Sequence, residues 1–332
     1  MVANLRVAVV GIGKMGLVHA SLLSTMPNVQ LVALCDKSQM ILRFFRKVFR
    51  NTPLVDDVEK LSGFDLDAVY VTTPIPSHFP VLKAILSKNI ARNIFVEKTL
   101  SSNYDKAKEL CQMVEHSGAG GMVGYMKRFS VTFGKAKELL DQGILGEDVG
   151  FDAYAYSSDF ASSKKGSKAQ LSRGGVMRDL GAHVIDLATW FFGDLEVESA
   201  KIDSTAGTGS EGSANFRTVN AEGSIGSFDI SWCAAKYRMP EFGLVIKGTK
   251  GMMKVNDDRL ELSSSDGKLQ KWYKHDLQDN VGFLLGEPEY FREDEQFIKS
   301  IVEKRSVKPD FLSASKVDLL IEQVEQRAAK HE

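Results

Sequence analysis

The stretch Leu5–Gly16, LRVAVVGIGKMG, most constrains how this chain can fold. Leu5–Val10 is an apolar, β-branched run with the length of one buried strand. Directly after it, Gly11, Gly13 and Gly16 occur in the order G-x-G-x-x-G. The first glycine permits a tight turn, the second lets a pyrophosphate approach the backbone, and the third lets a helix pack on the strand. The stretch therefore predicts a βαβ unit that binds a dinucleotide at the N-terminus of its helix.

An acidic residue follows at the distance expected of such a site. Gln30–Cys35 is predicted as the second strand, and it is followed by Asp36, twenty residues after Gly16. A carboxylate there accepts hydrogen bonds from an adenosine ribose 2′-hydroxyl and repels a 2′-phosphate, so we expect NAD rather than NADP as the cofactor. The alternative is a glycine-rich turn followed by a surface Asp. Besides the three glycines, the expected cofactor-binding residues of the loop are Ile12, Lys14 and Met15.

Length and charge bound the class of protein. A chain of 332 residues suits two domains, and a formal net charge of −1 gives no reason to expect nucleic acid or a membrane surface as a partner. Cys35, Cys111 and Cys233 are odd in number and far apart, which favours a reducing, cytoplasmic location. Only four residues precede the first predicted strand, and no apolar run approaches membrane-spanning length. We therefore expect neither a signal peptide nor a membrane segment.

Strand and helix signals alternate through the first 124 residues, which predicts a parallel sheet with helical crossovers. After Asp36, strands are expected at 54–55, 67–72, 94–96 and 121–124, and helices at 38–50, 76–88 and from a cap at Ser101 or Ser102 to about 117. Ligands of such sheets lie beyond the carboxyl ends of the strands. By this rule the cofactor edge also holds Thr73, Pro74, Glu97 and Lys98. His78 either belongs to this edge or packs its own helix.

The pattern changes after Gly124, so we predict a nucleotide-binding domain at 1–124 and a substrate-binding and oligomerisation domain at 125–332. The second half has a predicted helix at 130–142, an alternating strand at 149–156, six further strands (197–204, 214–222, 224–232, 242–247, 252–256 and 259–263) and final helices at 289–303 and 313–330. Strands joined by short turns favour an open, mostly antiparallel sheet. The predicted fold class is thus α/β plus α+β. The polar segment 157–172 carries Lys164, Lys165 and Lys168, which either contact an acidic substrate group or belong to a solvated loop.

A predicted helix at 176–192 carries a second set of chemical groups. Its apolar face consists of Leu180, Val184, Leu187 and Phe191, and a neighbouring face consists of Asp179, His183, Asp186 and Trp190. Asp179 and His183 are four residues apart, so their side chains are expected to meet. A carboxylate orients an imidazole and raises its basicity, which suits a general base for a hydroxyl proton. The alternative is a structural Asp/His pair. We expect no metal site.

The chain resembles the Gfo/Idh/MocA oxidoreductases, named after glucose–fructose oxidoreductase, inositol dehydrogenase and rhizopine catabolism, over nearly its whole length. The resemblance rests on the segments VAVVGIGKMGLVHA, TTPIPSH, FVEKT, GYMKRF and GGVMRDLGAHVIDLATWFFG. It implies a Rossmann domain and catalytic roles for Lys98, Asp179 and His183 on a sugar or polyol hydroxyl. It also implies that sheet surfaces pair into homodimers or homotetramers. Arg128 of GYMKRF resembles a substrate-proximal residue of the family, Tyr156 is a second substrate-binding candidate, and Thr99 stands where the family usually has proline.

The function expected from these residues is hydride transfer between NAD(P) and a secondary hydroxyl of a sugar, sugar derivative or cyclitol. Lys98 would donate to the substrate oxygen, His183 would take the proton and Asp179 would orient His183. One alternative is a glycosidase that recycles tightly held NAD, and the sequence does not separate it from a dehydrogenase. A second alternative is a non-catalytic sensor of sugars or dinucleotides, against which the intact set of three residues argues.

Overall fold

The computed structural model describes residues 4–160, 173–204 and 211–330. Contacts between residues form two compact units, the first with Met1–Met126 and Val281–Asp318, the second with Lys127–Asn280 and Leu319–Glu332. The predicted division into domains at 1–124 and 125–332 stays a prediction. Within the described residues, no helix has the length and apolar character needed to cross a membrane.

The first unit is built on a six-stranded parallel sheet, as predicted. Its strands are β1 (Leu5–Val10), β2 (Val29–Cys35), β3 (Leu54–Val55), β4 (Leu66–Val71), β5 (Ala91–Glu97) and β6 (Gly120–Gly124). Their order across the sheet is β3-β2-β1-β4-β5-β6. The order changes direction between β1 and β4, and this switch point is where open α/β sheets bind ligands.

The helices of the first unit begin and end close to the predicted residues. They are α1 (Lys14–Leu23), α2 (Gln39–Val48), α3 (His78–Ser87), α4 (Tyr104–Ser117) and, later in the chain, α7 (Pro288–Val302), with short 3₁₀ helices at Val58–Phe64 and Ile75–Ser77. The cap expected at Ser101 or Ser102 is wrong. Because α4 begins at Tyr104, its cap is Asn103, whose side chain accepts a hydrogen bond from the Lys106 amide at 3.0 Å.

The second unit contains an eight-stranded sheet in the order β14-β13-β12-β11-β7-β10-β9-β8. Its strands are β7 (Asp148–Tyr156), β8 (Leu195–Ser204), β9 (Glu211–Asn220), β10 (Ile225–Ser231), β11 (Glu241–Gly248), β12 (Gly251–Asn256), β13 (Arg259–Ser264) and β14 (Leu269–Tyr273). Only β7 and β10 pair in parallel among these described strands, so the mostly antiparallel sheet is confirmed. The sequence pattern did not indicate β14, whose residues are mostly exposed and lack an apolar face.

The helices of the second unit pack on one face of this sheet. α5 (Val131–Asp141) lies against β12 and β13, and α6 (Ala182–Phe192) lies against β7 and β11. The last helix, α8 (Phe311–Ala329), has residues 311–318 in the first unit and the rest in the second. Every second residue of β7 is buried on the face of the sheet that α6 covers. There, Phe151 stacks on Phe192 with ring centroids 4.1 Å apart. The chain is helical throughout the predicted helix at 176–192, but Met177–Gly181 forms a π-helical turn directly before α6. The residues of its predicted apolar face are all buried.

Candidate active site

Backbone crowding explains two of the three glycines in the loop between β1 and α1. A Cβ atom on Gly11, whose φ is +92°, would lie 2.8 Å from the Thr73 nitrogen, and one on Gly16 would lie 2.0 Å from the Gly11 oxygen. Gly13 is different, since a Cβ atom there would meet nothing within 4 Å. The loop thus packs tightly on β4 at its first and last glycines and leaves open space beside the second, where a pyrophosphate is expected.

Asp36 joins the end of β2 to this loop. Its Oδ2 accepts a hydrogen bond from the Ile12 amide at 2.8 Å, and its Oδ1 accepts one from the Ser38 amide at 2.8 Å. An ionised carboxylate has about four lone-pair directions, so two acceptor directions remain for ribose hydroxyls. The side chain is half-buried, and the neighbouring Lys14 at the start of α1 is exposed.

His78 is buried between the segments that follow β4 and β5. Its Nε2 lies 2.8 Å from the Thr73 carbonyl oxygen and its Nδ1 lies 2.8 Å from the Thr99 carbonyl oxygen. Burial lowers the pKa of His78, although the hydrogen bonds to these two carbonyl oxygens raise it. The structure therefore joins His78 to two backbone segments, while the predicted contact of Thr73, Pro74 and His78 with the cofactor stays a prediction.

Glu97 is the last residue of β5, and Lys98 follows it directly. Glu97 Oε2 accepts a hydrogen bond from the Lys98 amide at 3.2 Å. The Lys98–Thr99 peptide bond is cis, Lys98 is half-buried, and the Thr99 hydroxyl donates to the Ser101 carbonyl oxygen at 2.9 Å. Because β1, β4 and β5 are adjacent parallel strands, the dinucleotide loop, Thr73 and Lys98 lie at the same edge of the sheet.

The residues at this edge fit a dinucleotide. The space beside Gly13 and the carboxylate of Asp36 suit a pyrophosphate and a ribose. Thr73 Oγ1 is a buried hydroxyl oxygen without a hydrogen-bond partner among the described residues, so it is available to form a hydrogen bond with a bound ligand. The dinucleotide pattern read from the sequence therefore corresponds to one contiguous edge of one sheet.

The second unit carries the predicted Asp179 and His183. Asp179 lies in the π-helical turn, and its Oδ2 is 2.5 Å from Nη2 of Arg173. The same guanidinium donates to Asp159 Oδ2 at 2.8 Å. His183 lies in the first turn of α6, is 8% exposed, and has its ring centroid 5.1 Å from that of Phe242 in a T-shaped arrangement. Sequence reasoning missed Arg173, because a residue six positions before Asp179 shares no helical spacing with it.

Arg128 forms a bidentate ion pair inside the second unit. Its Nε and Nη2 donate to the two oxygens of Asp186 at 2.7 Å each, and its guanidinium lies 5.7 Å from the centre of the Trp190 ring. Burial raises the pKa of Asp186 against the opposing effect of Arg128. Asp186, which is fully buried, is thus the partner of Arg128, and the predicted contact of Arg128 with a substrate stays a prediction.

Tyr156 lies on the face of the sheet opposite α6. Its hydroxyl donates to Asp229 Oδ2 at 2.6 Å and its ring stacks on Tyr154, in a depression of about 620 Å³. The structure does not bring Tyr156 together with His183, so its predicted contact with substrate has no support from geometry and stays a prediction. Lys164, Lys165 and Lys168 lie outside the described residues. Within the described part of the chain, no three His, Cys, Asp or Glu residues are arranged to hold a metal ion.

Comparison with known protein families identifies the chain. Residues 5–125 match the oxidoreductase family with the NAD-binding Rossmann fold, and residues 133–254 match the GFO/IDH/MocA C-terminal domain. The protein therefore belongs to the Gfo/Idh/MocA oxidoreductase family, as the sequence motifs indicated. NAD is the cofactor of this family's Rossmann domain.

Individual relatives extend this result. The chain is 28% identical over 210 residues to scyllo-inositol 2-dehydrogenase (NAD(+)) of Bacillus subtilis, a match of 62% of this chain and 57% of that protein. It is 24% identical over 320 residues to inositol 2-dehydrogenase of Rhizobium meliloti, covering 92% of this chain and 91% of that protein. The crystal structure of an oxidoreductase domain protein from Kribbella flavida has the same fold, with a TM-score of 0.90, 20% identity and coverage of 99% and 98%.

Proposed function

We propose that the protein is an NAD-dependent oxidoreductase that acts on a secondary hydroxyl of a sugar, sugar derivative or cyclitol. The observation that carries this proposal is the position of Lys98. It follows the last residue of β5 and lies at the same sheet edge as the dinucleotide loop and Asp36. Two relatives are named as inositol dehydrogenases, which supports a polyhydroxylated ring as the substrate class.

The first unit would hold the cofactor. When bound, NAD accepts or returns the hydride. The backbone around Gly13 and the N-terminus of α1 would contact the pyrophosphate, and Asp36 would accept hydrogen bonds from the adenosine ribose. Asp36 also disfavours a 2′-phosphate by charge repulsion, which supports NAD over NADP.

Lys98, His183 and Asp179 would perform the proton chemistry. The Lys98 ammonium would donate a hydrogen bond to the substrate oxygen and stabilise the negative charge that develops there. His183 would accept the hydroxyl proton, and Asp179 would orient His183. The assignment of these three residues to one reaction rests on family membership and on the motifs that contain them.

We also propose that the protein is a homodimer or homotetramer in the cytoplasm and that its substrate is a small carbohydrate or polyol. The family resemblance supports pairing of sheet faces. The odd number of widely separated cysteines supports a reducing compartment.

The test of the proposed reaction is a substrate panel of scyllo-inositol, myo-inositol, simple glucosides and sugar nucleotides, each with NAD or NADP and followed at the nicotinamide absorbance. We expect net NADH formation with at least one cyclic polyol or sugar. Glycoside cleavage without net NADH would favour the NAD-recycling glycosidase. Absence of both reactions, in protein that binds NADH by fluorescence titration, would contradict the proposal and favour the sensor.

A further inference from the structure

His19 is a completely buried side chain on α1, between two carboxylates. Its Nδ1 lies 2.8 Å from Asp294 Oδ1 on α7, and its Nε2 lies 3.0 Å from Glu97 Oε1 at the end of β5. The rings of Tyr70, Phe95 and Tyr290 surround the imidazole, with centroids 5.5, 5.0 and 6.1 Å away. Three elements of the first unit therefore meet at one polar group inside an aromatic shell.

The geometry fits a charged imidazole between two ionised carboxylates. Burial raises the pKa of Asp294, and the charge and hydrogen bond of His19 oppose that effect. Ionised carboxylates only accept hydrogen bonds, so both ring nitrogens must donate. Burial by itself lowers the pKa of His19, but the charges and hydrogen bonds of Asp294 and Glu97 outweigh it and raise the pKa well above its ordinary value. Burial by itself raises the pKa of Glu97, but the imidazolium of His19 outweighs this effect, so the pKa of Glu97 is lowered. The charged or titratable groups that interact with this cluster also include Tyr70, Lys98 and, through Tyr70 and Tyr290, Glu293.

The same carboxylate that binds His19 also binds the backbone of Lys98. Glu97 gives Oε1 to His19 and Oε2 to the Lys98 amide. On the other side of Lys98, the Thr99 carbonyl oxygen lies 2.8 Å from Nδ1 of the buried His78. Lys98 is thus placed between two residues, each of which is hydrogen-bonded to a buried histidine.

We propose that His19 is a positioning residue: acting through Glu97, it holds the backbone of Lys98 in place for the reaction. This inference rests on the proposed function, in which Lys98 works on the substrate oxygen. His19 belongs to the helix that begins at the dinucleotide loop. It therefore also connects the cofactor-binding helix with the segment that carries Lys98.

A purely stabilising role explains this cluster less well. Replacing a buried ion pair with apolar residues of similar volume is often neutral or stabilising, so burial of an imidazolium with two carboxylates is an inefficient way to stabilise a core. It does give the carboxylate of Glu97 one defined orientation. A misplacement of about 1 Å in a catalytic group costs roughly 10²-fold in rate, which makes a fixed orientation valuable next to Lys98.

The test compares His19→Gln, Glu97→Gln and the double variant with wild-type protein. His19→Gln removes the charge and keeps an amide donor. Glu97→Gln keeps one side-chain oxygen, replaces the other with an amide nitrogen and removes the charge. Leu61→Ala is the control for general destabilisation, because Leu61 is fully buried in the 3₁₀ helix of the first unit and takes no part in the cluster. Amide hydrogen exchange of the peptide that contains Lys98 needs no substrate, so it stays informative even if the proposed reaction fails.

For both single variants we expect exchange at the Lys98 amide to rise by about tenfold, as for loss of one hydrogen bond to a charged group, with exchange in β1 unchanged. With a substrate from the panel, kcat should fall by about 10²-fold. The NADH dissociation constant should change by less than about threefold. The double variant should lose no more than the worse single variant, because the two residues act in series.

Wild-type exchange at Lys98 in both single variants would overturn the inference. So would an equal rise at Lys98 in Leu61→Ala, which would show that the cluster acts only through stability. If His19→Gln does not fold, His19→Asn takes its place in the same comparison.

Discussion

Arg173 and Asp179 form an ion pair in which Nη2 lies 2.5 Å from Oδ2, and the Asp179 side chain is 13% exposed. The guanidinium also lies over the rings of Phe160 and Trp232, at 5.6 and 5.9 Å from their centres. Asp179 is therefore held by an arginine fixed on two sides, by Asp159 and by these rings. The sequence suggested only His183 as its partner.

Arg173→Gln should lower kcat/KM by about tenfold or more, because a charge-assisted hydrogen bond that orients Asp179 is lost. The kcat/KM of Arg173→Lys should lie between those of the wild type and Arg173→Gln, since lysine keeps the charge but loses the planar geometry of the guanidinium. Steady-state kinetics measure both. The matched control is Lys201→Gln, which removes an exposed ion pair with Asp203 in the same unit. Wild-type kinetics in Arg173→Gln would show that the pair does not serve catalysis.

Asp36→Ala should weaken NADH binding and narrow the preference for NADH over NADPH. The variant loses the repulsion of a 2′-phosphate and the hydrogen bonds to the amides of Ile12 and Ser38. Fluorescence titration with both dinucleotides measures the preference, which we expect to be at least about tenfold in the wild type. Asp56→Ala, which breaks a surface ion pair with Lys60 in the same unit, is the control. Equal affinity of the wild type for NADPH would contradict the assigned role of Asp36.

His183→Ala should lower kcat by about 10²–10⁴-fold, the usual contribution of a general base. Asp179→Asn should cost less, because the imidazole remains. Lys98→Ala should lower kcat more than it weakens NADH binding, since its work is on the substrate oxygen. Losses in combined variants should be smaller than the product of the single losses, because the three residues act as a unit. Near-normal kcat in both His183→Ala and Lys98→Ala would refute the catalytic assignment.

Stability should depend on pH through Cys35, which is 2% exposed. Burial, together with the nearby Asp57 and Asp36, raises the pKa of its thiol from 9.0 to about 12. The thiol thus ionises more readily in the unfolded chain, so its contribution to stability is complete below pH 9.0 and is lost as the pH rises towards 12. From pH 9 to pH 10, the free energy of unfolding in urea should fall for the wild type by up to about 1.4 kcal/mol more than for Cys35→Ala. Parallel pH curves for the two proteins would contradict this prediction.

The outer face of the large sheet should pair copies of this chain. Phe228 and Ile230 of β10 are buried, whereas Asp229 is exposed beside the stacked Tyr154 and Tyr156. Light scattering at micromolar concentration should give the mass of a dimer or tetramer. Tyr156→Arg should shift the protein towards monomer by placing a charge on this face. A monomeric mass for the wild type would rule the assembly out.

Local patterns in the sequence determined the cofactor edge. Gly11, Gly13 and Gly16 follow directly after an apolar run, and Asp36 and Lys98 come at the ends of later strands. Gly11, Asp36 and Lys98 each directly follow a strand of the parallel sheet. Parallel strands bring their carboxyl ends to one edge of the sheet, whatever the details of packing. The antiparallel strands of the second half were predicted for a similar reason, since period-two alternation is a local property.

Tertiary structure alone decided which charged side chains pair with each other inside the two units. His19 contacts Asp294, 275 residues away in sequence, Arg128 contacts Asp186, and Arg173 contacts Asp179, which lies in a π-helical turn. No periodicity encodes such pairs, because a buried charge finds its partner only when separate elements pack and water is excluded. The free energy of burying those charges depends on the whole neighbourhood, and that neighbourhood exists only in the folded chain.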